Sequence, residues 1–314
     1  MAMKPAIIAL DIGATKTVIG RVVEDRVQAE RHLVTSALFR RGGNIAPLVS
    51  EIRKLWKLHV KGIAIGFAGV VSDGAVLAAP NFSSDLIPPH FALSRLLTDI
   101  FDVSVSVMND TECFTFGEAV FGAGRHKRCV VGLTLGTGVG GGIVIDGVPY
   151  RGTHALAGEF GHLPFPSEKI KCGCGQLGHL ENILSGPGLA RLYALATGRE
   201  GTSEEVVKAA RRGDVSALEA LRAIEEALVH LILTVLLAWD PDVIVVGGGI
   251  AKIPRLLVTA RRLVRQRVAF PPLRRVPIVP SLLHDHAVIL GAAHLASFKK
   301  ETPRYHRLFS FKRR

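Results

Sequence analysis

Between Gly158 and Glu181 the chain gathers side chains that can hold a metal ion and a polar ligand side by side. His162, Cys172, Cys174 and His179 offer two nitrogen and two sulfur donors, the set a tetrahedral zinc ion takes. Four protein donors leave no open position, so the zinc expected here is structural rather than catalytic. Gly173 and Gly175 flank Cys174 and let the backbone fold closely round an ion. Glu159 and Glu181 bracket the donors. Two ordinary cysteines beside two surface histidines are the plainer alternative; the agreement of glycine spacing with both histidines favours zinc. Such an ion would staple the loop so that Glu159, His162 and Glu181 face one pocket.

Three glycine turns lie elsewhere at the ends of apolar runs. Ala6 to Leu10 reads as a buried strand and Val18 to Val23 as its hairpin partner. The turn between them runs Asp11-Ile-Gly-Ala-Thr-Lys-Thr. Gly13 permits close approach to a phosphate, and Thr15, Lys16 and Thr17 supply donors; the P-loop spacing of glycines and lysine is absent. Cys129 to Gly142 repeats the plan: a strand enters Gly136-Thr137-Gly138, whose backbone N–H groups can face phosphates, and Ile143 to Ile145 returns as a strand. A dinucleotide fingerprint is excluded, since no helix opens after the glycines. Val243 to Val246 feeds the third turn, Gly247-Gly248-Gly249. Val103 to Met108 reads as a strand delivering Asn109-Asp110 at its C-terminal end, where open α/β sheets place ligands. An ordinary turn or helix cap is the alternative for that pair.

Helices must position these groups. Apolar spacing predicts one over Gly43 to His59 and short ones over Phe91 to Asp99 and Leu189 to Ala196. Thr111 to Gly124 continues from Asp110 and carries Glu118. Thr202 to Glu205 reads as a capping box. Ser216 to Trp239 is a long buried helix stopped by Asp240-Pro241, and Ala287 to Ala296 is a closing helix. Lys61 to Phe67 reads as a strand ending in Ala68-Gly69, and Pro80-Asn81-Phe82 as a polar turn.

In this order the motifs resemble the ROK family of sugar kinases and sugar-responsive repressors. The loop matches the family's zinc pattern, Gly-His and then Cys-x-Cys-Gly-x-x-Gly-Cys-x-Glu, at every position but one: His179 stands where the family has a third cysteine. Ala68 replaces a family proline. The resemblance covers roughly residues 6 to 297. It implies an α/β, two-domain actin-like ATPase (ribonuclease H-like) fold with a zinc-binding loop. The domains would be 1–117 with the closing helix 287–300, then 118–286, then a basic tail 301–314. The two strand–turn–strand units, at 6–23 and 129–145, would be the duplicated halves of that fold. It further implies transfer of a phosphoryl group from ATP to a sugar hydroxyl, with Asp110 as general base. Asn81, Asn109, Glu159, His162 and Glu181 would hold the sugar. Asp11 would carry Mg²⁺, and Gly13, Thr15, Lys16, Thr17, Gly136, Thr137 and Gly138 the phosphates. Gly247 to Gly249 would pack against adenosine. His162 would serve zinc through one ring nitrogen and the sugar through the other. A homodimer or homotetramer is implied, with the apolar helix to Trp239 contributing. The acceptor stays open among glucose, fructose and N-acetylhexosamines, and the donor between ATP and polyphosphate. A non-catalytic sugar-sensing regulator is the reading from another class. Such relatives carry a DNA-binding domain before the first phosphate motif, and a first strand opening at Ala6 is expected to leave no room for one.

Composition sets outer bounds. At 314 residues, 48% hydrophobic and 21% charged, the chain can bury a large core and is not a disordered polymer. Four cysteines make no disulfide framework and suit a reducing cytoplasm. The longest apolar run, Ala227 to Trp239, is too short to span a bilayer and contains His230 and Thr234. The net charge of +12 is partly local, with Lys299, Lys300, Arg304, Arg307 and Lys312 to Arg314 crowding the C-terminus. That tail reads as solvated, since no nucleic-acid reader motif accompanies it.

Overall fold

Runs of β-branched residues form the centres of two five-stranded sheets. A computed structural model describes residues 4–165 and 170–301. The first half holds β1 (Ala6–Ile12), β2 (Lys16–Val23), β3 (Arg26–Val34), α1 (Ala46–Leu55), β4 (Val60–Phe67), β5 (Val70–Ser72), β6 (Ala75–Ala78), α2 (Leu93–Phe101), β7 (Ser104–Asn109) and α3 (Asp110–Phe121). The second holds β8 (Cys129–Leu135), β9 (Val139–Ile145), β10 (Val148–Pro149), α4 (Gly186–Thr197), α5 (Ser203–Arg211), α6 (Val215–Trp239), β11 (Val243–Gly247), α7 (Leu256–Arg267), β12 (Ile278–Pro280) and α8 (Ala287–Glu301).

The two sheets share one plan. The first runs β3-β2-β1-β4-β7 and the second β10-β9-β8-β11-β12. In each, the leading strand pairs antiparallel with its hairpin partner and parallel with the next strand along. Sequence reading missed the short β5, β6, β10 and β12, and the longest of the strands it missed is β3. Its exposure alternates residue by residue along a polar edge, so no apolar run announces it. The turn before it places Glu24 and Asp25 at φ 47° and 58°, a two-residue hairpin turn made without glycine. Helix α1 is shorter than its apolar spacing suggests, because Trp56 leaves the helix and stacks on Phe101, ring centroids 4.6 Å apart. The capping box forms as expected: Thr202 N–H donates to Glu205 Oε2 at 2.7 Å, and Glu205 N–H to Thr202 Oγ1 at 3.3 Å. The charged tail at 302–314 lies outside the described residues. Among the described residues no helix is long and apolar enough to cross a membrane.

Helix α3 lies at the junction of the sheets. It packs on β8 and β9 of the second and along α8, which lies on β1 and β4 of the first. The expected boundary after residue 117 therefore falls inside α3. Two glycines set the spacing between α3 and α8. A methyl group on Gly291 would sit 1.9 Å from the Cys113 carbonyl oxygen, and one on Gly117 would sit 2.2 Å from that of Ala287. Both obstacles are backbone, so neither can swing away. Gly291→Ala is expected to cost about 1–3 kcal/mol or more by forcing the helices apart. A denaturant midpoint equal to that of the parent protein would show that the helices have slack.

Candidate active site

Asn109 ends β7 and caps α3. Its side-chain oxygen accepts from Thr111 N–H and Glu112 N–H at 2.9 and 3.0 Å, which satisfies two of the helix's free donors. Its amide donates to the Gly69 carbonyl oxygen at 3.1 Å, tying α3 to the end of β4. Asp110 is the first helical residue, and Thr111 N–H donates to its Oδ1 at 2.8 Å. Burial pushes the Asp110 carboxyl up to about 6, against the Thr111 hydrogen bonds that pull it down; the charge of Glu159 adds to the rise. Asp11 lies on β1, and burial first, then the charges of Asp110 and Asp285, raise it to about 8 while Lys16 opposes them.

Two hollows meet at the second glycine turn. A cavity of about 240 Å³ is lined by Gly13, Asn81, Asn109, Asp110, Gly136, Thr137, Gly138, Glu159, His162, Glu181 and Gly248. All six sugar-side residues named from sequence thus face one space. Thr111, Thr134 and Val70 join them unforeseen. A wider hollow of about 840 Å³ opens on the other side of Gly136 and Thr137. Thr15 and Gly249 line it, with Pro187, Ala190, Val207 and Ile250 as apolar walls and Lys208, Arg211 and Lys252 as cations. Sequence reading missed this wall, because its residues come from α4, α5 and the stretch after β11. Their convergence leaves no local spacing to read. The N-terminus of α4 reaches the turn, where Gly186 N–H donates to the Gly136 carbonyl oxygen at 2.8 Å.

Some expected phosphate residues are placed differently. Thr17 is fully buried and does not face the hollows. Thr35 Oγ1 donates to the Gly13 carbonyl oxygen at 2.7 Å, so the Thr17–Thr35 contact of 2.9 Å has Thr17 donating. Thr17 braces the turn from inside, and its hydroxyl is not a free donor. Lys16 is ion-paired with Asp285 at 2.9 Å and lines neither hollow. Gly247 is a buried residue of β11, and a methyl group there would lie 2.6 Å from the Phe114 ring. It is a packing glycine. Gly248 has φ 90° and presses on the Leu135 carbonyl, so only glycine suits that turn.

The four metal-ligand candidates converge. Their donor atoms lie within 4.8 Å of one another. His162 Nδ1 is 3.2 Å from His179 Nδ1 and 3.7 Å from Cys172 Sγ, and Cys174 Sγ is 3.2 Å from His179 Nδ1. Zinc bonds of about 2.0–2.3 Å in tetrahedral array hold donors roughly 3.3–3.8 Å apart, so the cluster fits the ion. The other nitrogen of His162 turns away, 3.7 Å from Glu159 Oε2. Arg151 Nε donates to Glu112 Oε1 at 2.8 Å and anchors the start of this loop to α3. For a magnesium ion the fit rests on Asp11. Its half-buried carboxyl, raised first by burial and then by the charges of Asp110 and Asp285, suits a hard cation that binds one or two carboxylates plus phosphate oxygens, and it stands beside the hollows without lining either.

The ROK family model matches residues 7–299. The N-acetyl-D-glucosamine kinase of Citrobacter koseri is 33% identical, with 91% of this chain and 97% of that protein covered. The N-acetylgalactosamine kinase AgaK of Shewanella sp. (strain ANA-3) is 35% identical over 61% of this chain and 66% of its own length. Among solved structures, a ROK family glucokinase from Streptomyces griseus in complex with glucose and AMPPNP superposes with a TM-score of 0.81 at 29% identity, covering 93% and 99% of the two chains.

The donor geometry sets a measurable expectation. Elemental analysis should find about one zinc per chain, and His179→Ala should lower that content and the thermal stability together. Full zinc content in the His179→Ala protein would remove His179 from the ligand set.

Proposed function

The chain belongs to the ROK family, and from that premise we propose that it transfers the γ-phosphoryl group of ATP to a hydroxyl of a hexose. The observation that carries the reading is Asp110, a carboxyl pushed up to about 6 on the wall of the smaller cavity, beside the glycine turn that cavity shares with the larger hollow. A sugar in the first and a nucleotide in the second would meet at Gly136 and Thr137. Asn81, Asn109, Glu159, His162 and Glu181 hold the sugar in this reading, each with polar atoms suited to hydroxyl groups. The apolar walls of the wider hollow take the base, and its lysines and arginine face the phosphates.

As the sugar hydroxyl attacks, its proton passes to the Asp110 carboxylate. A base placed this way contributes about 10²–10⁴-fold. Alignment and charge neutralisation supply most of the rest, through the backbone N–H groups of Thr137 and Gly138. The Gly136 N–H expected to join them donates to the Gly138 carbonyl oxygen at 2.9 Å and closes the turn instead. Magnesium, held through Asp11, would neutralise charge on the donor phosphates. Zinc at His162, Cys172, Cys174 and His179 would be structural.

Glucose is the acceptor we assign first. The N-acetylhexosamine kinases among the relatives support a second reading, a 2-acetamido sugar. A panel of sugars with a coupled ADP readout separates the two, and a protein that binds sugar without releasing ADP would be a sensor instead. Asp110→Asn should lower kcat by about 10²–10⁴-fold while sugar affinity holds within a few fold. Near-parental turnover would refute the base.

The pH profile carries an independent check. Only ionised Asp110 can take the proton, so activity is present above the carboxyl's pKa and lost as it protonates. kcat/KM for the sugar should therefore fall as pH drops through about 6. A profile flat down to pH of about 4, the ordinary carboxyl range, would contradict the assignment.

A further inference from the structure

Glu181 touches both halves of the machinery. Its Oε2 accepts from Val139 N–H at 2.9 Å, and Val139 is the first residue after the Gly136 to Gly138 turn. Its Oε1 lies 3.8 Å from Cys172 Sγ, inside the metal-ligand loop. The contact with the turn is close. A methyl group on Gly138 would stand 2.5 Å from the same Oε2 and 3.4 Å from Asn81 Nδ2. Glycine at 138 therefore does more than expose an N–H to phosphate: it admits the carboxylate of Glu181 to the back of the turn.

We propose that Glu181 is a positioning residue for the nucleotide side of the site, coupling sugar occupancy to the shape of the phosphate-binding turn. The proposal rests on the phosphotransfer reading given above. One carboxylate oxygen faces the loop that holds the sugar, and the other grips the backbone leaving the turn. A sugar that draws on Glu181 shifts or steadies the acceptor that holds Val139 N–H, and so changes how the N–H groups of Thr137 and Gly138 present themselves, the Gly136 N–H being taken up by the Gly138 carbonyl oxygen within the turn. Linkage makes the effect reciprocal. Whatever factor the sugar adds to nucleotide affinity, the nucleotide must add to sugar affinity. A residue that only bound sugar would have no influence on nucleotide binding when sugar is absent.

That difference defines the test, made by calorimetry with AMPPNP and magnesium on the sugar-free, zinc-loaded protein. Glu181→Ala should weaken AMPPNP binding by about five-fold or more. Glu181→Gln, whose side-chain carbonyl can still accept from Val139 N–H, should bind AMPPNP within two-fold of the parent, roughly. Glu181→Met, equal in reach but unable to accept so strong a bond, replaces the alanine variant if the latter fails to retain zinc or fold. Parental AMPPNP affinity in the alanine or methionine variant would overturn the proposal and leave Glu181 a sugar ligand alone. Equal weakening in the glutamine and alanine variants would overturn it too, by assigning the effect to charge and not to the accepted bond. Failure of the parent protein itself to bind AMPPNP would instead defeat the ATP reading, so the two failures stay distinct.

Discussion

The site depends on a half-buried carboxyl whose acidity is weakened by its surroundings without losing its charge at neutral pH. Asp110 stands where a strand hands over to a helix. Burial there drives the carboxyl upward, while the Thr111 N–H at its Oδ1 and the positive end of α3 favour the ionised form. The balance falls near 6, far enough above an ordinary aspartate to improve its basicity and still below neutrality. Neither force alone suffices. Full desolvation without the helix would leave a neutral acid, and full exposure would leave a weak base. Asn109 makes the position possible by capping the helix with one end of its amide and tethering it to Gly69 with the other.

That handover also explains why the two sheets sit as they do. α3 must begin at the end of β7 to present Asp110, and must then pass between α8 and the second sheet. Gly117 and Gly291 let the helix backbones approach to a distance that side chains would forbid. At its far end Glu118 is fully buried, accepting from Ser281 Oγ at 2.6 Å, Leu283 N–H at 2.9 Å and Ala123 N–H at 2.8 Å. The connection from β12 into α8 is thus fastened to the same helix that carries Asp110. Both ends of α3 are therefore committed, one to β7 and Gly69 and the other to the segment leading into α8.

What could be read in the sequence divides along physical lines. Turns built on glycine are legible because a backbone conformation or a close approach demands that residue at one place, as at Gly248. The cluster of four candidate ligands is legible because ligand chemistry limits donors to a few residue types, with nitrogen offered by His162 and His179 and sulfur by Cys172 and Cys174. The burial of Thr17 is not legible, since its partner Thr35 comes from the short helical turn just after the unannounced edge strand β3. Lys16 looks like a phosphate ligand until Asp285, far along the chain, is found holding it. The wider hollow is hidden for the same reason: Pro187, Val207 and Ile250 become neighbours only through tertiary packing.

These unread contacts bear on how the first turn works. The Lys16–Asp285 pair is about half exposed on both sides, and such pairs contribute on the order of 0–1 kcal/mol. A tether that weak cannot lock the ammonium in place against the charge of a triphosphate. It can hold the lysine clear of the turn until a stronger anion competes. Thr17 and Thr35, buried beneath the same turn, supply the rigidity that the exposed pair lacks. The first turn therefore has a buried, hydrogen-bonded floor and a half-exposed ion pair at its edge. The second turn has its own fixed point in the grip of Glu181 on Val139. Side chains thus brace both glycine turns, and backbone donors held in this way need little rearrangement when charge arrives, which is the condition under which preorganised dipoles are most effective.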